Sequence, residues 1–210
     1  MAMKPLVLLA ALALIAAAAP PNCIGCDFSR ADLSGRDFSN VNYTGADFSG
    51  ANLRNANFRD ARLTGSDFTH ADLRGTHFER VQCTGCDLTG VDLHGADFTD
   101  AQMDGADMHN VIAPGIPFTG AHLIGVDLRE SNLHGASFRN AEVCWHSNDE
   151  RDGIVYRDEI GCIDLRGADV GSTDFSGALI CRHHDDDCTK VDADTLRRYS
   201  HSDLAGARLP

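Results

Sequence analysis

The chain repeats itself every five residues over most of its length, and that period limits the fold more than any other property. From Ala46 the sequence runs ADFSG, ANLRN, ANFRD, ARLTG, SDFTH, ADLRG. Each unit places a small residue first, a polar one (mostly Asp or Asn) second, Phe or Leu third, then two polar residues often ending in Gly. The register holds from residue 21 to residue 145. The small residue and the Phe or Leu stand two apart with a polar residue between them. That is strand alternation, with two side chains pointing inward and one outward. The next inward residue comes three positions later, so the chain must turn a corner. Gly at the fifth position (Gly35, Gly45, Gly50, Gly65, Gly75) permits the positive φ that such corners often need. A short strand and a corner, repeated, coil around an axis, and successive coils can pair at the usual strand separation of about 4.8 Å.

These units, ADLSG-type with a central Phe or Leu, resemble the pentapeptide-repeat family, and the resemblance covers most of the chain. It implies an all-β fold: a right-handed quadrilateral β-helix with four repeats per coil. The sequence supports a twenty-residue coil by its own pattern. Central residues taken every twenty positions sort into columns: Phe38, Phe58, Phe78, Phe98, Phe118, Phe138 in one, and Leu33, Leu53, Leu73, Leu93, Ala113, Leu133 in the next. A third holds Phe28, Phe48, Phe68, Leu88, Met108, Leu128, and the fourth mixes Cys23, Tyr43, Leu63, Cys83, Met103, Leu123, Val143. Like shapes stacking on like are what paired coils predict.

After Trp145 the pattern stops, and His146 to Gly161 reads as a polar excursion. Units resume as IDLRG, ADVGS, TDFSG, ALICR, centred on Leu165, Val170, Phe175 and Ile180. If the excursion leaves at a corner, Phe175 falls on the Phe column. The expected organisation is a cleaved leader at 1–19, a six-coil solenoid at 21–145, an extruded loop at 146–162, a seventh coil at 163–182, and a tail at 183–210. The tail combines a loop, a short helix with Asp192 or Asp194 as N-cap, and two capping units, since a solenoid needs a cover over its last rung.

Met1–Lys4 carries one positive charge, and an unbroken Ala- and Leu-rich apolar run follows from Pro5 to Ala19. That run is short of the roughly 20 apolar residues that cross a bilayer. A charged start, an apolar centre and a small-residue end describe a secretory signal peptide, the alternative being an uncleaved anchor. The predicted location is therefore periplasmic or secreted, with no transmembrane span in the mature chain. Export makes an even set of eight cysteines read as disulfides. Cys144 and Cys162 flank the excursion, and Cys181 and Cys188 bracket RHHDDD one coil later, so each pair is expected to staple a loop base. Cys23-Ile24-Gly25-Cys26 and Cys83-Thr84-Gly85-Cys86 lie three coils apart, about 14 Å. Four thiolates on one zinc are thereby excluded. Each CxxC pair is expected to be buried, as a local disulfide or as packed thiols.

The chain is acidic, with 18 Lys+Arg against 31 Asp+Glu and a formal charge of −13. Such a charge disfavours direct binding to nucleic acid and points to a protein partner, basic if the contact is charge-driven, or to cations. The outward residue of one face is Asp on every coil: Asp27, Asp47, Asp67, Asp87, Asp107, Asp127 and Asp164. Carboxylates at about 4.8 Å repel by roughly 1 kcal/mol per pair even in water. Two offsets are open: each Asp accepts a backbone N–H at its corner, or the stripe meets a basic partner or cations. Other faces are mixed, with Arg54, Arg59, Arg62 and Arg74 among the acids. The histidines His70, His77, His94, His109, His122 and His134 are scattered at outward positions. His183, His184, Asp185, Asp186 and Asp187 are weak metal candidates, since adjacent residues in a tight loop rarely converge.

No nucleophile–base set or phosphate loop emerges, and a solid Phe and Leu stack leaves no substrate pocket. The expected function is an exported, non-catalytic β-solenoid serving as a structural or protein-interaction scaffold, without cofactor. The family resemblance supplies an alternative, because some members are acidic rods that imitate DNA and protect gyrase. Cation binding or enzymatic chemistry on the two loops is the remote third.

Overall fold

The computed structural model describes residues 22–147, 150–151, 154–155, 159–182, 188–200, 202 and 204–209. The leader at 1–19 and the run from His183 to Asp187 lie outside the described residues.

One unit, Ala56 to Asp60, shows why the motif has its composition. The Ala56 N–H closes the preceding corner on the Leu53 carbonyl at 2.9 Å. Asn57 donates at 2.9 Å to Arg36 in the coil before, and Phe58 donates at 2.8 Å to His77 in the coil after. Asp60 donates at 3.1 Å to Glu79, also in the coil after. The remaining N–H, that of Arg59, goes to the side-chain Oδ1 of Asn57 at 3.2 Å. Every backbone donor of the unit is thus satisfied, and the polar second residue completes the set.

Parallel bridges join second-position residues twenty apart, as in Asp27–Asp47–Asp67 and Asn52–Asp72–Asp92. They are isolated bridges, the shortest form of the short strand that the alternation suggests, because the corner arrives before a second pair can form. The result is a β-helical repeat solenoid. Its fifth residues take the left-handed conformation. Glycine is not required for this: Arg30, Asn40, Asn55, Asp60, His70, Arg80 and others hold φ of 55 to 61°. A ladder hydrogen bond, such as Arg80 N–H to Thr99 O at 3.0 Å, holds them there against a cost of about 1–2 kcal/mol.

Inside, Phe38, Phe58, Phe78, Phe98, Phe118, Phe138 and Phe175 form one stack, with neighbouring centroids 4.8 to 5.4 Å apart. Phe28, Phe48 and Phe68 form a second at 4.9 and 5.0 Å. These spacings follow the strand separation, so the backbone sets the ring geometry. Buried hydroxyls of the stacked coils bond to backbone carbonyls. Ser66 Oγ donates to Tyr43 O at 3.0 Å, Ser131 Oγ to Met108 O at 3.0 Å, and Thr173 Oγ1 to Leu133 O at 2.9 Å.

The described residues of the excursion after Trp145 pair as strands. Strand β1 (Glu142–Ser147) pairs antiparallel with β4 (Glu159–Cys162), and between them β2 (Glu150–Arg151) pairs antiparallel with β3 (Ile154–Val155). The segment is a β-hairpin. Its Ile and Val favour extended backbone, a signal that the surrounding charges obscure in the sequence. Strand β5 (Leu179–Arg182) runs parallel to β1 and pairs antiparallel with β6 (Cys188–Lys190), completing a sheet in the order β4-β1-β5-β6.

Past the hairpin the ladders resume, with Asp127 bridged to Asp164, Asn132 to Asp169 and Ser137 to Asp174. Helix α1 (Ala193–Tyr199) begins at Asp192, whose side chain accepts the Thr195 N–H at 2.8 Å. It buries Leu196, and Leu204 is buried after it. Phe175 then donates to Arg208 O at 2.8 Å and Arg208 to Thr173 O at 2.7 Å. The tail thereby occupies bonding groups of the last coil. Among the described residues no helix is long and apolar enough to cross a membrane.

Candidate functional site

The described interior is filled by side chains, so the chemistry-bearing groups lie on the outside and at the corners. The Asp face is the most regular of them. Asp27, Asp47, Asp67, Asp87, Asp107, Asp127 and Asp164 each use Oδ1 to accept the N–H two residues on, at 2.8 to 3.1 Å. The acceptors fill the same place as Asn57 in its unit. Backbone donors therefore offset part of the repulsion between neighbouring carboxylates.

The residues that donate these N–H groups grade along the face: Ser29, Ser49, Thr69, Thr89, His109, Arg129, Arg166. Ser29 donates from its hydroxyl as well as its N–H, which holds the Asp27 carboxyl below the usual range. At the far end, Arg129 is forked on both oxygens of Asp127, with Nε at 2.8 and 2.9 Å, and Arg166 is forked on Asp164. The Arg129 side-chain bond leads the effects that depress Asp127. Arg129 also lies 3.8 Å from Asp164 on the next rung. The stripe is thus compensated at its C-terminal end, which the column of aspartates alone does not disclose. The signal in the sequence sits two positions after each Asp.

His109, one of the scattered outward histidines, belongs to this face. Its Nδ1 lies 2.9 Å from Asp107, a bond that raises its pKa. Ligand-type atoms of Asp107, His109 and Asp127 fall within 4.8 Å of one another. Arg129 already occupies both Asp127 oxygens, so the arrangement works as an ion-pair chain. On another face Arg59 holds Glu79 through Nε at 3.0 Å and Nη2 at 2.5 Å, with His77 beside both.

The structure places Cys23 beside Cys26, Cys83 beside Cys86 and Cys144 beside Cys162, each pair at disulfide distance. The two CxxC corners differ in burial. Cys83 and Cys86 are fully buried, whereas Cys23 and Cys26 are only partly so, contrary to the expectation that both pairs would be enclosed. The physical reason is position. Cys83 has Leu63 and Met103 stacked on either side in its column, and Cys23 begins its column. Cys144 and Cys162 face each other at the base of the hairpin, and the backbone of Cys181 pairs with that of Cys188.

A family model of pentapeptide repeats matches in eight copies, over residues 22–59, 44–80, 76–112 and 118–144. The chain belongs to the pentapeptide-repeat family. A comparison with curated proteins gave no match. Among solved structures, this pentapeptide-repeat chain is similar to HetL, involved in heterocyst differentiation regulation in the cyanobacterium Nostoc. The two are 23% identical over 75% of this chain and 73% of that one, with a TM-score of 0.46. It is also similar to QnrB1, a plasmid-mediated fluoroquinolone resistance protein, at 21% identity over 70% and 81% of the two chains and a TM-score of 0.32. A pentapeptide-repeat protein of the Arabidopsis thaliana thylakoid lumen is 24% identical over 70% and 66%, with a TM-score of 0.21.

Proposed function

We propose that this pentapeptide-repeat protein is an exported, non-catalytic scaffold that presents its flat faces to a protein partner. In this reading it is a right-handed, four-sided rod of about seven coils with a C-terminal cap. The observation that carries the proposal is the filled interior. The described inward side chains from Phe38 to Phe175 are packed against one another, and the polar residues outside serve their own turns and rungs. Flat, regular faces of this kind suit contact with a macromolecule rather than enclosure of a small substrate. The apolar leader and the bridged cysteines support export to an oxidising compartment.

The partner contact is tested by affinity capture from the exported fraction, using the native protein and a variant with Asp47, Asp67, Asp87 and Asp107 changed to Asn. Asparagine keeps the Oδ1 acceptor for the corner N–H and removes the charge. A partner lost with the charge assigns the stripe to binding; a partner retained moves the contact to another face. No specific partner on native protein contradicts the scaffold reading.

The second reading, an acidic DNA mimic that binds a DNA-processing protein such as gyrase, draws on the charge of −13 and the Asp ladder. Arg129 and Arg166 on that same ladder weaken the imitation, and the proposed export removes the chain from a cytoplasmic target. Cation binding by His183 to Asp187 would need a site outside the described residues.

A further inference from the structure

The chain contains the same four-residue motif twice at the same corner of the coil, so each copy is a control for the other. Cys23-Ile24-Gly25-Cys26 and Cys83-Thr84-Gly85-Cys86 are both bridged, with Cα atoms 5.6 and 5.3 Å apart. In both, the glycine takes a left-handed φ of 65°. In both, the backbone hangs on the following coil in the same way: Cys23 donates to Asn42 O at 2.8 Å, and Cys83 to Gln102 O at 2.8 Å. The differences lie in what surrounds the sulfurs. Cys83 is 0% exposed and Cys86 1%, inside the continuous hydrophobic core. Cys23 and Cys26 are packed against the edge of that core and remain partly open to solvent, beside Ile24 at 78% exposure.

We propose that Cys23–Cys26 is a thiol–disulfide exchange site that accepts two electrons from an external dithiol, with Cys83–Cys86 its inert structural counterpart. The inference rests on the cysteines being oxidised in an exported chain. Exchange requires a thiolate to reach a sulfur along the bond being broken. At the first corner both cysteines are already partly open to solvent, so an attacking thiolate need not open the core. At Cys83 it needs the core on both sides to open, which local fluctuations rarely achieve in the middle of a packed array.

The chemistry balances with a dithiol as co-reactant. One thiolate of the reductant attacks a sulfur of the bridge; a mixed disulfide forms, the Cys23–Cys26 bond breaks, and the other cysteine leaves as a thiolate. The second thiolate of the reductant attacks the mixed bond, releasing the second cysteine. The reductant ends as a disulfide, and the protein ends with two thiols after taking up two protons. A monothiol fares worse for a geometric reason. The released cysteine is held three residues from its partner at high effective concentration and recloses the bridge before a second monothiol arrives.

The test uses the full exported chain, isolated with thiols blocked, then exposed under native conditions to dithiothreitol or to glutathione at equal thiol concentration. Newly freed cysteines are alkylated at intervals and mapped by mass spectrometry. The expected result is paired labelling of Cys23 and Cys26 by the dithiol, at least about a hundredfold faster than Cys83 and Cys86. Denaturant should abolish the difference, and glutathione should give little labelling. A C23A/C26A variant should lose the fast phase while the other bridges keep their rates. Equal rates at the two motifs in the native state would overturn the proposal, and so would glutathione matching the dithiol. Thiols already free at all these positions in freshly blocked protein would instead count against the exported, oxidised reading on which it rests.

Discussion

Phe138 and Phe175 stack with ring centroids 4.9 Å apart and planes within 10°, although the whole hairpin separates them in the chain. The contact shows that the hairpin leaves and returns at one corner without disturbing the column. A ring in the middle of that column has two aromatic neighbours: Phe98 lies 4.8 Å from Phe78 and 5.3 Å from Phe118. Changing Phe98 to Ala is expected to destabilise the protein by about 3–5 kcal/mol, through lost transfer energy and a cavity that the rigid coils cannot close. Phe98→Leu, which refills most of that space, should cost distinctly less. Urea denaturation midpoints of the two variants provide the comparison, and equal losses would count against the cavity.

The corner role of the aspartates separates from their charge by paired substitution. Asp67 accepts the Thr69 N–H at 2.8 Å. Asp67→Ala leaves that donor without its partner and should cost about 1 kcal/mol. Asp67→Asn keeps the acceptor and should change stability by less than about half of that. Thermal unfolding of the two variants decides between them. If Asn is as damaging as Ala, charge rather than turn bonding is what the fold uses.

The left-handed corners make a second pair of expectations. Gly95 has φ +72°, and an added Cβ would meet Gly75 Cα at an ordinary 3.8 Å. Space is therefore available, and the cost of a side chain is conformational. Gly95→Val is expected to destabilise by about 1–2 kcal/mol, and Gly95→Asn by clearly less, since Asn tolerates this region. Asn40, Asn55, Asn110 and Asn140 already occupy it elsewhere in the chain. Chemical denaturation of both variants tests the ranking.

His122 carries a pH dependence whose direction follows from its partner. Its Nδ1 lies 2.8 Å from Glu142 Oε2. That bond raises its pKa above 6.5, with burial opposing and the charges of Glu142, Asp104 and Asp100 assisting. A histidine that binds its proton more tightly when folded stabilises the fold fully below its unfolded pKa. The stabilisation is lost as pH rises through the higher folded value. The stability of native protein relative to a His122→Gln variant should therefore decline from about pH 6 toward pH 8. A difference that stays flat or grows across that range would contradict the assigned pairing.

The architecture is legible in the sequence because its period and its hydrogen bonding share one cause. The column Phe38 to Phe138 reveals the twenty-residue coil from residue identities alone, since stacked rings must be alike in shape. Ala56 to Asp60 shows what a period does not reveal: the second residue is mostly Asp or Asn because one N–H per unit has no backbone acceptor. The hairpin is hard to tell from a loop in the sequence because Ile154 and Val155 are too few to stand out among its charges. The pairing of Arg129 with Asp127 and of Arg166 with Asp164 is equally inconspicuous, because it runs two positions along the chain and not down the Asp column. The unequal burial of Cys23 and Cys83 is set by which coil has neighbours, a property of place in the array rather than of the motif.

The claim of an exported, oxidised scaffold is tested most directly by the intact mass of the native protein, purified with thiols blocked under non-reducing conditions. The expected mass is that of a chain beginning at Ala19 or Pro20, lighter by one hydrogen for each of its eight cysteines and carrying no blocking group. Peptide mapping should then link Cys144 to Cys162 and Cys181 to Cys188. A chain that retains Met1 to Ala18, recovered from the cytosol with its cysteines blocked as thiols, would contradict the account.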